Sequence, residues 1–165
     1  METSSKKITM KKPINIDVFC VGEVELVYKR RGKTTSNYYV KSSVDADTFF
    51  RGRWENPDTM EIRESAYALF LNRAHKIIAM TKISEGGVTR TVIDIKLINS
   101  IAVRKLATSV ILAHNHPSGN LKPSEADINV TRKLKSSLSL MDVTLLDHLI
   151  ITEDGYKSFA DEGLM

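Results

Sequence analysis

Residues 109–127 have the sequence SVILAHNHPSGNLKPSEAD, which joins three local patterns in one short stretch. The segment from Ser109 to Ala113 is almost continuously apolar, as buried strands are. A loop with one glycine and two prolines follows, and Ser124 then begins a helix that we expect to reach Leu140. The stretch therefore predicts a strand, a loop and a helix, with two histidines at the end of the strand.

The segments on either side alternate between strand and helix patterns. Upstream, an apolar strand, a turn and a return strand precede a helix that Asp94 caps and that runs to about Leu106. Downstream, another strand precedes a turn and a short C-terminal piece. The predicted strands are Ala66 to Leu71, Lys76 to Ile83 and Val143 to Ile151. This alternation predicts an α/β fold in which helices pack in layers on a sheet.

The apolar positions of the two helices predict which faces are buried. The first helix is expected to bury most of a stripe formed by Leu97, Ile98, Ile101, Val103 and Leu106. The second helix is expected to bury a face on which apolar residues recur every fourth position: Ala126, Val130, Leu134 and Leu138.

The first 60 residues have a different character from this core. They are strand-rich, and we expect Ile14 to Tyr28 and Asn37 to Lys41 to pair as a hairpin. Ser43 is expected to cap a short helix through Phe50. The predicted organisation has three parts: a flexible basic tail (1–13), a β-rich N-terminal extension packed on the core (14–60) and the core domain (61–165).

Length and composition limit the class of protein. The chain of 165 residues is 42% apolar and 27% charged, which fits one globular domain with an added segment. Its net charge of +4 permits nucleic-acid contact without arguing for it, since such binding needs clustered charge. No apolar run approaches the roughly 20 residues of a membrane span. Cys20 is the single cysteine, so no internal disulfide forms, and we expect a cytoplasmic location.

His114 and His116 are two residues apart, so both imidazoles lie on the same side of the predicted strand end. Asp127 lies in the first turn of the following helix, and the tight loop between can bring its carboxylate back to them. Two histidines and one aspartate leave a tetrahedral zinc ion with an open fourth position, which is the catalytic pattern. The pattern predicts one zinc ion per chain.

Two further side chains complete a catalytic hypothesis. Glu64 directly precedes an apolar strand and is the candidate base, and Ser124 is the candidate donor to an oxyanion. Each residue also has a structural explanation. The histidines can be polar residues at a strand end, Ser124 and Asp127 a helix cap, and Glu64 a surface residue. The spacing alone leaves both explanations open.

These residues resemble the RadC branch of the JAB/MPN metalloprotease-like domains. The resemblance covers about residues 60–160 and rests on an upstream Glu64, the His-x-His-Pro string at 114–117, and the spacing to Ser124 and Asp127. It implies a mixed sheet flanked by helices, as in cytidine deaminases. It also implies that His114, His116 and Asp127 bind zinc, that Glu64 activates water and that Ser124 stabilises the oxyanion.

The chain departs from the family pattern at two places. Asn115 stands between the histidines where isopeptidases of this type carry Ser or Thr, and residues 1–60 do not resemble the helix-hairpin-helix region of full-length RadC proteins. The chain is therefore similar to short RadC-like proteins of bacterial mobile elements. His148 could be considered as a fourth ligand, but three ligands and water already complete a tetrahedral site, so we assign it no role, and His75 and Cys20 none either.

Three functions are compatible with these patterns. The first is a zinc hydrolase that cleaves an amide or isopeptide bond in a peptide or protein. The second is a DNA-repair-associated protein that binds or acts on nucleic acid, although single-zinc chemistry differs from the two-metal arrangement of many nucleases. The third is a non-catalytic metal-binding module. The oligomeric state stays open.

Overall fold

The computed structural model describes residues 38–54, 59–86 and 92–165. The predicted basic tail, the first arm of the predicted hairpin and most of the predicted extension therefore lie outside the described residues. In the second arm, Tyr39 forms an isolated antiparallel bridge with Lys76. The elements are α1 (Ser43–Arg51), β1 (Ser65–Leu71), β2 (Ile77–Glu85), α2 (Ile95–Lys105), β3 (Ser109–Asn115), α3 (Glu125–Ser139), β4 (Thr144–Ile151) and β5 (Tyr156–Ser158).

The five strands form one mixed sheet in the order β2-β1-β3-β4-β5. The β3–β4 pair is parallel and is connected through α3, whereas the other three neighbouring pairs are antiparallel. The fold class predicted from the sequence, an α/β sheet with helices packed on it, is confirmed. In the described part of the chain, no helix is both long and apolar enough to cross a bilayer.

Apolar side chains cover both faces of the sheet, as the inner strand β1 illustrates. Its residues alternate between two clusters, with Phe70 in one and Leu69 and Leu71 in the other. Helices α2 and α3 pack on the first face and α1 packs on the second, where Phe50 is fully buried. Because both faces are covered, β1 and β3 are buried along their whole length.

The cap of α1 lies one residue earlier than predicted. Ser42, not Ser43, is the N-cap, and its side chain accepts a hydrogen bond from the Asp45 backbone N–H. Asp45 in turn accepts from the Ser42 N–H, which completes a capping box. Asp94 caps α2 as predicted, through the Leu97 N–H.

The predicted buried faces of α2 and α3 are wrong in part. Ile98 is buried in α2, but Leu97 and Val103 are exposed, and Ala102 takes the second core position. In α3 the buried residues are Asp127, Thr131, Leu134 and Leu138, so Ala126 and Val130 do not share the core face. At the start of α3, the polar residues Asp127 and Thr131 face the sheet in place of the apolar Ala126 and Val130 that were predicted to do so. Asp127 and Thr131 are buried because they belong to a cluster of polar side chains at the end of β3.

Candidate metal centre

Three metal-ligating side chains converge at the end of β3. The Nε2 atoms of His114 and His116 lie 3.0 Å apart. Asp127 places Oδ1 3.2 Å from Nε2 of His114 and Oδ2 3.5 Å from Nε2 of His116. The His114 side chain is fully buried, whereas those of His116 and Asp127 are 16% and 12% exposed. The cluster is therefore closed toward the sheet and open to solvent on one side.

Local structure brings these side chains together. His114 and His116 follow the apolar strand β3, and the backbone N–H of His116 continues the parallel ladder by donating to the carbonyl of Ile151. The loop then turns at Gly119, where φ is +72°, a conformation that favours glycine. The turn allows the start of α3, with Asp127 in its first turn, to return to the strand end.

Ser124 is the N-cap of α3 and also orients Asp127. Both the backbone N–H and the hydroxyl of Ser124 donate to Oδ2 of Asp127, at 2.7 and 2.6 Å. The Asp127 N–H donates back to the Ser124 hydroxyl, which completes a capping box. The structural explanation of these two residues is thus correct, and it is compatible with ligation. The cap occupies Oδ2, so Oδ1 is the carboxylate oxygen that faces His114.

The second ring nitrogens of both histidines have partners behind the cluster. Nδ1 of His116 lies 2.6 Å from the carbonyl oxygen of Asn120. Nδ1 of His114 lies 2.8 Å from Nε2 of His148, a fully buried residue of β4. The His148 ring also stacks on Phe159, with ring centroids 4.6 Å apart. Both histidine ligand candidates are therefore held in place with Nε2 facing the cluster.

The electrostatics favour an ionised carboxylate at Asp127 and a neutral ring at His148. Burial alone would raise the pKa of Asp127, but its close contacts with His114, His116 and Ser124 hold it well below its usual range. The hydrogen bond to Asp127 raises the pKa of His116, against the effect of burial. Burial lowers the pKa of His148 well below its ordinary value, so this ring is neutral.

Glu64 lies beside the cluster, on the segment that leads into β1. It is half-buried and lies two residues before Ala66, which pairs with His114. Its negative charge raises the pKa of His116, as do the larger effects of Asp127 and the Asn120 carbonyl, whereas burial lowers it. The structure thus brings a free carboxylate near the cluster without making it part of the group of three converging ligands.

Asn115 fixes the backbone on both sides of Glu64. The Asn115 side chain is fully buried, and its Oδ1 accepts a hydrogen bond of 2.7 Å from the Ser65 N–H. Its Nδ2 donates to the carbonyls of Met60 and Arg63, at 2.6 and 2.8 Å. A residue that the sequence analysis noted only as a departure from a family pattern therefore anchors the segment that carries the candidate base.

The ligand set fits zinc. Two ligands of a tetrahedral zinc ion, each about 2.0–2.1 Å from the metal, lie about 3.3 Å from one another. Here the two Nε2 atoms are 3.0 Å apart, Oδ1 of Asp127 is 3.2 Å from Nε2 of His114, and one donor atom from each of the three residues lies within 4.8 Å of the other two. The expectation of a metal site at His114, His116 and Asp127 is supported to this extent: the described residues contain a group that could hold a metal ion, and its donors are two imidazoles and a carboxylate.

Sequence analysis missed two residues of this region. His148 was left without a role, and Thr131 was not considered; the structure places both directly behind His114 and Asp127. The Thr131 hydroxyl lies 2.6 Å from Nδ1 of His148 and 2.6 Å from the Asp127 carbonyl. A signal for Thr131 was present, because a residue four positions after an inward-facing Asp127 must share its helix face.

The fold and this cluster define an α/β domain with a candidate mononuclear metal site at a strand end. A model of the RadC-like JAB domain family matches residues 40–164. The chain belongs to this family. The match includes α1 as well as the whole sheet.

Relatives with curated sequences carry the name UPF0758 protein. The relative from Porphyromonas gingivalis is 50% identical over 104 residues, which are 62% of this chain and 46% of the relative. The relative from Flavobacterium johnsoniae is 46% identical over 101 residues, or 61% and 44% of the two chains. One from Neisseria meningitidis is 45% identical over 102 residues, or 62% and 45%. The matched region is thus less than half the length of these relatives.

Proposed function

We propose that this protein is a zinc-dependent hydrolase that cleaves an amide or isopeptide bond in a peptide or protein. The observation that carries the proposal is the convergence of His114, His116 and Asp127, whose nearest side-chain N and O atoms are 3.0–3.5 Å apart, on a cluster that is open to solvent on one side. A structural zinc site is commonly closed by four protein ligands, whereas three ligands leave one position for water or substrate.

The three ligands would hold the ion through Nε2 of His114, Nε2 of His116 and Oδ1 of Asp127. When bound, zinc supplies a Lewis acid that makes water nucleophilic near neutral pH and polarises a carbonyl oxygen. The pKa of Asp127, held below its usual range, keeps this carboxylate ionised and available as a ligand. The hydrogen bonds at both Nδ1 atoms leave the Nε2 atoms facing the ion.

Glu64 and Ser124 would handle the proton and the developing charge. Glu64 takes a proton from the attacking water as the new C–O bond forms, and it gives this proton to the leaving nitrogen as the C–N bond breaks. Glu64 is then ionised again. Ser124 would donate to the carbonyl oxygen, for which its hydroxyl must turn away from Oδ2 of Asp127.

The number of metal-binding groups favours an amide over a phosphodiester. Among the residues that the structure describes, one group of histidine and acidic side chains could hold a metal ion. Enzymes that hydrolyse phosphodiesters often use two metals about 3.5–4 Å apart, which hold both the attacking and the leaving oxygen. A single ion with an adjacent carboxylate base is sufficient for amide hydrolysis.

The test combines metal analysis with a matched pair of carboxylate variants. Purified protein is expected to contain one zinc ion per chain and to cleave quenched fluorescent peptides that carry either an α-amide or a lysine ε-amide bond. Glu64→Gln should keep the zinc and lose at least about 100-fold in rate, since a positioned base contributes on the order of 10²–10⁴. Glu61→Gln changes an exposed carboxylate on the same segment and should act as wild type.

Removal of the metal provides the second arm. Incubation with a chelator should abolish cleavage, and added Zn²⁺ should restore it. Folded wild-type protein that takes up no zinc would refute the proposal. Equal rates for wild type and Glu64→Gln would refute the assignment of the base. Loss of zinc from Glu64→Gln would make Glu64 a ligand instead.

A further inference from the structure

The two histidines of the cluster direct Nδ1 toward different kinds of partner. Nδ1 of His116 faces the carbonyl oxygen of Asn120, which can only accept, so the hydrogen of His116 lies on Nδ1. Nδ1 of His114 faces Nε2 of His148, 2.8 Å away, and a ring nitrogen can donate or accept. This contact alone does not decide which nitrogen of His114 carries the hydrogen.

The contacts on the far side of His148 do decide it. The Thr131 hydroxyl lies 2.6 Å from the Asp127 carbonyl and 2.6 Å from Nδ1 of His148. A carbonyl only accepts and a hydroxyl has one hydrogen, so Thr131 donates to the carbonyl and accepts from Nδ1–H of His148. A neutral His148 then has a bare Nε2, which must accept from His114. His148 is fully buried, and neither Thr131 nor His114 can offer it a negative charge, so a charged ring at this position would be costly.

We infer that His148 and Thr131 are positioning residues that fix the tautomer of His114, with its hydrogen on Nδ1 and the lone pair of Nε2 free for a metal ion. The inference rests on the metal site of the proposed function. In zinc proteins the second N–H of a histidine ligand commonly donates to a carboxylate, a backbone carbonyl or water. Here the acceptor is Nε2 of a second histidine, His148. This nitrogen accepts because the hydrogen of His148 lies on Nδ1, where it is donated to Thr131, a residue of the same helix as the candidate ligand Asp127.

Matched substitutions at Thr131 separate this role from simple packing. Thr131→Val keeps the branched shape but removes the hydroxyl, while Thr131→Ser keeps the hydroxyl and removes a methyl group. Without the hydroxyl, His148 can donate to Nδ1 of His114 from its own Nε2, which moves the His114 hydrogen to Nε2. The affinity for Zn²⁺, measured against a competing chelator, should then fall about 10–100-fold in Thr131→Val. Thr131→Ser should remain close to wild type.

His148→Phe extends the test, because phenylalanine preserves the stacking on Phe159 and accepts no hydrogen bond at this position. It should weaken Zn²⁺ binding at least as much as Thr131→Val. Thermal unfolding of the metal-free proteins shows whether each variant folds. If His148→Phe does not fold, the comparison of Zn²⁺ affinity between Thr131→Val and Thr131→Ser decides the test.

Nitrogen NMR of labelled histidines provides a readout that packing alone would not change. In metal-free wild type the hydrogen of His148 should lie on Nδ1, and in Zn²⁺-loaded wild type that of His114 should lie on Nδ1. A His148 hydrogen on Nε2, equal Zn²⁺ affinities for Thr131→Val and wild type, or wild type that binds no Zn²⁺ would each overturn the inference. If binding and tautomers are as expected but no amide is cleaved, the inference stands and the proposed hydrolase fails.

Discussion

Replacing Asn115 with alanine should destabilise the protein by about 3 kcal/mol. The substitution removes three hydrogen bonds, to the Ser65 N–H and to the carbonyls of Met60 and Arg63. A typical hydrogen bond contributes about 0.5–1.5 kcal/mol net, and a buried group left without a partner costs about 1–3 kcal/mol. The Ser65 N–H and the Met60 carbonyl are buried and would together cost about 2–6 kcal/mol without a partner, whereas water can reach the partly buried contact at Arg63. A value in the lower half of that range therefore applies.

Urea unfolding followed by fluorescence measures this change. The chain has one tryptophan, Trp54, which is buried against Tyr67 and reports on the packing of the sheet face. A chelator is added to every sample so that metal binding does not contribute. Asn72→Ala is the matched control. It removes two hydrogen bonds from an exposed turn, to the N–H groups of Ala74 and Lys76, and should cost about 1 kcal/mol or less.

The result that refutes this reasoning is an Asn115→Ala protein within about 1 kcal/mol of wild type, or one no less stable than the Asn72→Ala control. Hydrogen exchange gives a local check. The Ser65 amide should exchange much faster in Asn115→Ala, because its acceptor is lost. Zn²⁺ binding at the proposed site should persist, since none of the three candidate ligands changes, while the position of Glu64 becomes less defined.

Two further predictions concern pH and helix termination. Burial raises the pKa of Asp147, so its stabilising contribution is complete below the ordinary value of 3.8 and is lost as the pH rises through the raised pKa. Asp147→Asn should therefore gain stability relative to wild type as the pH rises above about 4 in urea unfolding, and a difference that is flat or falls with pH contradicts it. Leu106 ends α2 with φ +51° and is 62% exposed. Leu106→Gly should relieve left-handed strain of about 1–2 kcal/mol, partly offset by chain entropy, and raise the melting temperature by about 2 °C; a lower melting temperature refutes this.

The parts of the fold that the sequence predicted are those with strong local patterns. The apolar runs of β1 and β3 identify buried strands, and Asp94 and Ser124 identify helix starts, because each signal lies within a few residues of its effect. The direction and register of strand pairing carry no such local signal. The sequence therefore predicted an α/β sheet without its strand order.

The same distinction applies to the site. His114, His116 and Asp127 were predictable because their spacing along one strand, loop and helix is enough to bring them together. His148 was not, because its role depends on the parallel register that pairs it with Leu112, which makes it a diagonal neighbour of His114 on one face of the sheet. The buried face of α3 was predicted from apolar residues alone, and the buried polar pair Asp127 and Thr131 does not follow that rule.

Because Phe159 stacks on His148, and His148 contacts His114, the C-terminal segment supports the candidate metal centre from the side of β4. Phe159 also donates its N–H to the His148 carbonyl, and the adjacent Ser158 and Ala160 are hydrogen-bonded to Asp147. A protease that cuts the chain just before Phe159, or a fusion partner inserted there, would leave all three candidate ligands in the chain. It would nevertheless loosen the His148 ring that contacts His114. A change near the C-terminus would therefore weaken metal binding without altering any candidate ligand.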